Sequence, residues 1–298
     1  MTSILTNNSA MVALQTLKSV NAQLGKTQAD IATGKSVANA KDSAAVWAIS
    51  KVMETDQSAF KTIQSNLNVA DAVVTTARTG AEKVVESLRS IKDLAAGAYN
   101  TATASEKAKI TTDINLKFKE IASVINGTQM NGVNLLKSGT ADLKVLASLD
   151  RGATVATKTN SISVATTGLD TLIGALGLDP AVPATFGVST IFTATSLDVS
   201  ADDLTNIGAF ITAIETSISG VLEKTAQLGS YGKQLTGQAE FVGKLADSLK
   251  SGIGALVDAD MEESSARLQA LQTQQQLGIQ SLSIANQAPA AIMALFRG

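Results

Sequence analysis

The 298-residue sequence contains no histidine and no cysteine, and aromatic residues make up only 3% of it. Without histidine and cysteine the chain cannot build a Ser-His-Asp or Cys-His nucleophile, a zinc site of the usual ligands or a disulfide. Carboxylates and lysines remain, but the commonest catalytic routes are closed. We therefore expect no enzymatic activity, no catalytic residue, no metal site and no cofactor.

Apolar residues nevertheless make up 45% of the chain, which is enough for a sizeable core. Because bulky rings are scarce, Ala, Leu, Ile and Val must fill that core, and this mixture favours long, closely packed helices. The net charge of −2 gives no sign of the basic footprint of a nucleic-acid-binding protein. The first fifteen residues have no basic stretch and no continuous apolar core. We therefore expect no Sec-type signal peptide, and another route if the protein is exported.

Both ends of the chain lack charge. Residues 1–17 carry none, and residues 268–296 form 29 consecutive uncharged residues with seven glutamines. The second stretch is long enough to span a bilayer, but its amides would lack partners in hydrocarbon, so we expect no membrane insertion. Among copies of itself, such a helix buries its apolar side chains while amides bond across chains. We interpret the ends as polymerisation segments, poorly ordered in the free monomer; ordinary core helices of the monomer are the alternative.

Two long runs on either side of the middle of the chain repeat apolar residues every 3.5 positions. The run from Val46 to Ala95 is apolar at fourteen of fifteen heptad positions, and the run from Ile207 to Leu256 at thirteen of fifteen. This period is typical of long coiled-coil helices, and two runs of equal length are natural antiparallel partners. The predicted rod core comprises Ile49, Met53, Phe60, Ile63, Leu67, Leu88, Ile91, Ile211, Ile214, Ile218, Leu228, Leu235, Val242 and Leu249.

Strong turn and cap signals lie between these runs. The residues T-A-S-E, Thr103 to Glu106, predict a capping box that begins a helix. Two Asn-Gly pairs in I-N-G-T-Q-M-N-G-V-N-L-L, Ile125 to Leu136, predict a hairpin followed by short strands, because both residues tolerate positive φ. Residues 151–200 contain ten threonines, five serines and only five charges, and we interpret them as β-rich.

These patterns predict a mainly α fold with long antiparallel coiled-coil helices from both termini, a β-hairpin region and a small β-rich inserted outer domain. We expect three regions. Residues 1–40 plus 257–298 form an inner polymerisation domain of terminal helices, residues 41–150 plus 201–256 form a rod-like helical domain with the hairpin, and residues 151–200 form a variable, surface-exposed insert.

Three segments resemble bacterial flagellins. The segment I-A-T-G-K-S-V-A-N-A-K-D-S-A-A-V-W-A-I, Ile31 to Ile49, is similar to the stretch that the family usually writes L-S-S-G-L-R-I-N-S-A-K-D-D-A-A-G-Q-A-I. Ile125 to Leu136 is similar to the family segment with T-Q-F-N-G, and Val257 to Phe296 resembles the C-terminus with its D-A-D, Q-Q and A-N-Q-x-P elements. Each motif is modest, but all three in this order are highly specific.

The resemblance implies a structural subunit that polymerises with itself into the flagellar filament for swimming motility, outside the bacterial cell. It also implies export through the flagellar type III apparatus, an export chaperone, and assembly beside the flagellar cap and the hook-associated junction proteins. In this family the terminal helices form the inner domain of the filament. The implied subunit interface comprises Leu5, Val12, Leu17, Val20, Leu24, Ile31, Leu268, Leu271, Gln275, Leu282, Ile292 and Leu295.

One family stretch, Q-R-V-R-E-L-A, is recognised by an animal innate immune receptor and aligns with residues 89–95. The chain has Arg89, Ser90, Lys92, Asp93 and Leu94 in this stretch. Serine does not replace the guanidinium fork of the family's first arginine, and the glutamate is shortened to aspartate. Receptor recognition therefore does not follow from the resemblance.

The residues leave two other functions open. A hook–filament junction protein would share the terminal helices but would join structures, although the similarity through the rod region argues against it. A filament-borne adhesin or enzyme would act through residues 151–200. A metalloprotease of the H-E-x-x-H type is excluded because the chain has no histidine.

Overall fold

The structure is a computed structural model, and it describes residues 7–99, 103–149, 159–174 and 204–295. The elements in these ranges are α1 (Asn8–Thr33), α2 (Ala44–Tyr99), α3 (Ala104–Gly127), β1 (Leu143–Leu149), β2 (Thr159–Val164), α4 (Leu169–Gly174), α5 (Leu204–Val257) and α6 (Met261–Leu295). The predicted mainly helical fold, with long helices from both termini and a short antiparallel sheet, is confirmed. Within the described ranges, no helix is both long and apolar enough to cross a membrane.

The chain divides into two compact units. The terminal unit contains Met1–Ser58 and Ala246–Gly298, and the central unit contains Ala59–Leu245. In the terminal unit α1 and α6 run antiparallel, since Asn7 bonds to Ala285 and Gln275 bonds to Asn21. The two ends of the chain therefore pair with each other, as the matching uncharged stretches suggest.

Local caps set the ends of the terminal helices. Helix α1 ends after Thr33 because Gly34 adopts a left-handed φ of 68°, which a side chain would disfavour. Helix α6 begins after Asp260, whose Oδ1 accepts from the N–H groups of Glu262 and Glu263 at 2.9 and 3.1 Å. The acidic first turn also suits the positive end of the helix.

The connections next to these helices bind each other. The carbonyl of Val257, the last residue of α5, accepts from the N–H of Ser36 at 2.8 Å and from its hydroxyl at 3.2 Å. In return, the N–H of Ala259 donates to the carbonyl of Gly34 at 3.0 Å. The carbonyl of Val257 has no partner within α5 because it lies at the helix end, and Ser36 supplies its donors.

The central unit has one large apolar core and a small second cluster of Ala98 and Ile207. Helices α2 and α5 run antiparallel along it, since Gln64 lies opposite Gly243, Asp71 opposite Gly232, and Lys92 pairs with Glu215 at 2.6 Å. Leucines fill the seam, and Leu67, Leu88, Leu228 and Leu235 are all fully buried. The predicted antiparallel partnership of the two heptad runs is therefore confirmed within this unit.

Strands β1 and β2 pair antiparallel, from Leu143 opposite Val164 to Leu149 opposite Thr159. The register shifts between Leu146 and Ser148, so Ala147 lies at a bulge. The Nε2 of Gln238 on α5 donates to the carbonyl of Ala147 at 2.9 Å. The predicted boundary of the insert at residue 151 falls between two strands that pair, and the predicted strand-rich segment at 185–200 lies outside the described residues.

The turn signals have mixed outcomes. The second Asn-Gly pair forms the predicted tight turn, with φ of 54° at Asn131 and 78° at Gly132. Mutual N–H to carbonyl bonds between Met130 and Val133, both 3.0 Å, close it. The first Asn-Gly pair instead ends α3 at Gly127.

Helix α3 begins directly after Thr103, as predicted, but the hydrogen bonds of the predicted capping box are wrong. The hydroxyl of Thr103 donates to the carboxylate of Glu106 at 2.6 Å and makes no cap bond to the backbone. The hydroxyl is instead turned toward the carboxylate, where it makes a charge-assisted hydrogen bond.

Candidate functional site

The paired terminal helices expose several large apolar side chains to solvent. Val12 is 64% exposed on α1, and Ile284 is 70% exposed on α6. Met11, Leu14, Leu277 and Ile279 are similarly exposed on the same two helices. Contiguous exposed apolar surface of this kind marks a surface that binds another molecule.

A groove of about 930 Å³ runs between α1 and α6. Its apolar lining includes Val12, Leu277 and Ile284. Its polar lining comes from Asn8, Ser9, Thr16, Gln274 and Ser281, and every residue that lines it is uncharged. A helix that enters this groove would bury apolar area without leaving a charge unpaired.

Amides and a glycine hold the two helices together on this side. The Nε2 of Gln275 donates to the Oδ1 of Asn21 at 2.7 Å. A Cβ at Gly278 would stand 3.2 Å from the Cδ1 of Leu17, so the glycine lets the helices approach closely. At least one glutamine amide therefore bonds within the chain, where we expected such amides to bond between chains.

The structure places the predicted interface residues mostly along the seam between α1 and α6. Val20 and Leu271 are buried, and Leu17, Leu24, Ile31, Leu268, Gln275 and Leu282 are half-buried. Val12 is exposed. Leu5 lies outside the described residues, as do the side chains of Ile292 and Leu295.

The heptad pattern missed exposed apolar side chains that lie outside the buried part of this seam. They are Met11, Leu14, Leu277, Ile279 and Ile284. A heptad count finds the stripe that packs against the nearest helix, and it ignores a second apolar face. The signal that identifies the second face is the lack of charge on every side of α1 up to residue 17 and of α6 from residue 268, because an exposed helix face ordinarily carries charges.

Most of the predicted rod core is buried. Ile63, Leu67, Leu88, Ile91, Ile214, Leu228, Leu235 and Val242 are buried, and Met53, Phe60, Ile211, Ile218 and Leu249 are half-buried. Ile49 is a correction, since it is 54% exposed. The buried position at this turn of α2 is the neighbouring Ser50, whose hydroxyl donates to the carbonyl of Trp47 at 2.9 Å.

The receptor-like stretch lies on the outer side of α2. Arg89 and Asp93 are exposed, and Leu94 packs against the core. The hydroxyl of Ser90 donates to the carbonyl of Glu86 at 3.2 Å. Lys92 forms an ion pair with Glu215 of α5. One of the two basic residues of this stretch therefore already has a partner within the chain.

A small ion-pair network lies where α2 begins. The Nζ of Lys51 is 2.6 Å from one oxygen of Glu54, and the Nζ of Lys35 is 4.0 Å from the other. The hydrogen bond from Lys51 lowers the pKa of the Glu54 carboxyl from its ordinary value of 4.5; burial opposes this, and the charges of Lys51 and Lys35 add to it. Among the described residues, no three acidic side chains are grouped to hold a metal ion.

Two family models match the chain. The model of the bacterial flagellin N-terminal helical region matches residues 4–141, and that of the C-terminal helical region matches residues 211–296. A flagellin of Brucella melitensis is 39% identical, with all of both chains covered. Flagellin FljM of Caulobacter vibrioides is 36% identical over 99% of this chain and 98% of its own, and flagellin C of Rhizobium meliloti is 33% identical over the whole of both.

A solved structure also shares the fold. The putative flagellar hook-associated protein from Vibrio parahaemolyticus aligns with a TM-score of 0.53 and 16% identity, over 73% of this chain and 100% of that chain. At this identity the likeness concerns the fold alone. The shared fold is the one described above, in which long helices from both ends of the chain pair with each other.

Proposed function

The chain belongs to the bacterial flagellin family and is a structural subunit of the flagellar filament, and on that premise we propose that the paired helices α1 and α6 provide the surface by which subunits join. The observation that carries this proposal is the uncharged groove with its exposed apolar rim. Each square ångström of apolar surface removed from water contributes about 25 cal/mol. Burial of these side chains between copies therefore favours the polymer.

We propose that the seam residues and the exposed residues have different roles in assembly. Buried Val20 and Leu271 hold α1 against α6 within one subunit. Exposed Val12 and Ile284 then contact neighbouring subunits, together with the other exposed apolar side chains. The predicted interface list is thereby extended by Met11, Leu14, Leu277, Ile279 and Ile284.

We propose that the three predicted regions form the layers of the filament. In this proposal residues 1–40 and 257–298 form the inner layer, residues 41–150 and 201–256 form the rod, and residues 151–200 form an outer insert. The described part of that insert packs Val164 and Leu169 into the core of the central unit. The pairing of β1 with β2 attaches the first part of the insert to the rod. Leucines in the seam of the central unit keep the rod stiff.

Export and location follow from the family. We propose that the subunit leaves the cell unfolded through the flagellar type III apparatus, with an export chaperone, and adds to an extracellular filament beside the cap and the hook-associated junction proteins. A chain without cysteine and with only three prolines suits that route, since no disulfide has to form and few prolyl bonds can isomerise slowly during refolding. We propose no enzymatic activity, because the relatives are structural flagellins and the common nucleophile partners are missing.

A role as a hook–filament junction protein or as an adhesin is not favoured, because the relatives that match over the full length are flagellins. Seeded growth tests the filament role. The full-length chain and a chain that ends at Val257 are each mixed with short filament seeds and observed by electron microscopy. We expect long filaments from the full chain only. Filaments from both would contradict the role of α6, and none from the full chain would contradict the filament role itself.

A further inference from the structure

The side chain of Asn7 makes two hydrogen bonds of opposite kind. Its Oδ1 accepts from the N–H of Ala10 at 3.1 Å and caps the first turn of α1. Its Nδ2 donates to the backbone carbonyl of Ala285, in α6, at 2.7 Å. The two partners fix the orientation of the amide, because an N–H needs the oxygen and a carbonyl needs the NH₂ group.

The acceptor on α6 is unusual because of the residue four positions later. In an α-helix the carbonyl of residue 285 accepts from the N–H of residue 289. Residue 289 is proline, the only proline in α6, and proline has no N–H to give. Helix α6 nevertheless continues to Leu295. Asn7 therefore donates to the carbonyl that Pro289 deprives of its ordinary partner.

We propose that Asn7 and Pro289 act as a matched pair that fixes the register between α1 and α6. Pro289 leaves one carbonyl open along α6, and Asn7 can fill it in a single alignment of the two helices. A slip by one turn, about 5.4 Å, would bring Asn7 to a carbonyl whose own helix already supplies a donor. Asn7 is thus a positioning residue for the terminal pair.

Backbone bonds of Ser36 and Ala259 tie the other end of the pair, where α1 ends and α6 begins, and Leu17 packs closely on Gly278. Toward the end where Asn7 lies, the remaining side-chain contacts specify register only weakly. The bond from Gln275 to Asn21 is exposed, and α6 also carries glutamine at positions 272, 274 and 276, so a slipped pair would meet another amide nearby. Apolar side chains along the groove exchange one neighbour for a similar one when helices slide. An open backbone carbonyl, by contrast, occurs where the proline puts it.

Register matters for the proposed assembly surface, and to that extent this inference rests on the proposed function. Val12 from α1 and Leu277 and Ile284 from α6 line one groove. They do so only if the two helices are held in this alignment. A slip of one turn would separate the apolar positions that a neighbouring subunit has to meet.

The test uses the full chain in four forms: wild type, Asn7→Asp, Pro289→Ala and the double variant. Aspartate keeps the cap on α1 but has no donor for the carbonyl, so it separates the two roles of Asn7. Pro289→Ala restores an N–H to α6 and makes the donor from Asn7 unnecessary. Gln15→Glu is the matched control, because Gln15 is an exposed amide of α1 outside the groove and the substitution adds the same charge.

Amide hydrogen exchange of the segment 279–286 is measured in all five chains. We expect Asn7→Asp to speed exchange about tenfold in the wild-type background, since an unpaired carbonyl loosens the helix, and less than about twofold beside Pro289→Ala. Gln15→Glu should leave exchange unchanged. An equal effect of Asn7→Asp in both backgrounds, no effect in either, or an unprotected α6 in the wild type would overturn the proposal.

Seeded growth of the wild-type chain separates this inference from the proposed function. If exchange shows the expected dependence on Pro289 but the wild-type chain adds to no seed, the register pair stands and the proposed assembly role fails. If the wild-type chain grows filaments but Asn7→Asp acts equally in both backgrounds, the assembly role stands and the register pair fails.

Discussion

Gly80 of α2 lies so close to Thr128 that a Cβ added to it would stand 2.5 Å from the Thr128 Oγ1 and 2.9 Å from the Leu136 Cδ1. The Thr128 hydroxyl cannot easily move away, because it donates to the carbonyl of Val124 at 2.6 Å. We predict that Gly80→Ala destabilises the chain by about 1–3 kcal/mol, the usual cost of overpacking, as measured by urea unfolding.

Gly237→Ala on α5 is the matched control for that substitution. A Cβ at Gly237 would meet nothing within 4 Å, so alanine should be neutral or should stabilise the helix by up to about 1 kcal/mol. If Gly80→Ala proves as stable as Gly237→Ala, the close packing of α2 against the end of α3 is not as described.

The buried carboxylate of Asp170 holds the loop before β1. Its two oxygens accept from the N–H of Ser138 at 2.7 Å and from the Ser138 hydroxyl at 2.6 Å. We predict that Asp170→Ala lowers the free energy of unfolding by about 1–3 kcal/mol, because the Ser138 N–H loses its acceptor. Denaturant unfolding measures the loss.

Asp170→Asn should cost less than Asp170→Ala, since the amide oxygen still accepts from the N–H while the serine hydroxyl can turn to accept from the NH₂ group. Asp142→Ala is the second control: Asp142 is exposed, and its bond to the Thr166 N–H is 3.3 Å long. Asp142→Ala should lower the free energy of unfolding by no more than about 0.5 kcal/mol. Equal losses at the two aspartates would count against the account of this loop.

Glu54 should make the stability of the chain depend on pH. Its pKa is lowered in the folded state, chiefly by the hydrogen bond from Lys51. Its stabilising contribution is therefore present above the ordinary value of 4.5 and disappears as the pH falls through the lowered value. Because Glu54 is 34% exposed, the contribution should be less than about 1 kcal/mol and should shrink in high salt.

Thermal unfolding of the wild type and of Glu54→Gln between pH 7 and pH 3 checks this. At neutral pH we expect the wild type to unfold at the slightly higher temperature, and at the acid end we expect the two curves to meet. A difference that persists at pH 3, or that grows there, would show that the network around Lys51 does not act through the charge of Glu54.

The long helices could be predicted from sequence because each carries a periodic apolar stripe that its own partner buries. Leu67 and Leu235 show this, since their heptad positions alone place them in the core. Ile49 lies on the same stripe but is exposed. The stripe does not show at which turn of the helix the partner helix no longer covers it. The bond from Gln238 to Ala147 could not be foreseen, since it depends on a bulge and on residues far apart in the chain.

The proposed assembly surface lies on the terminal helices, which the absence of charge in residues 1–17 and 268–296 also singles out. The heptad count named only part of its residues. The heptad count then selected Val20 and Leu271, which α1 and α6 bury between themselves. It passed over Ile284, because this side chain is 70% exposed and lies outside the buried stripe between α1 and α6 that a heptad count selects.

The central claim is that the exposed apolar side chains of α1 and α6 join subunits. The most direct test is the rate of seeded filament growth of Ile284→Lys beside Leu116→Lys, which adds the same charge at an exposed leucine of α3. Both side chains are exposed in the monomer, so both variants should keep wild-type stability within about 0.5 kcal/mol. We predict that Ile284→Lys abolishes growth or slows it at least about tenfold, because its charge would be buried between subunits, while Leu116→Lys grows normally. Growth of Ile284→Lys at the wild-type rate would contradict the account.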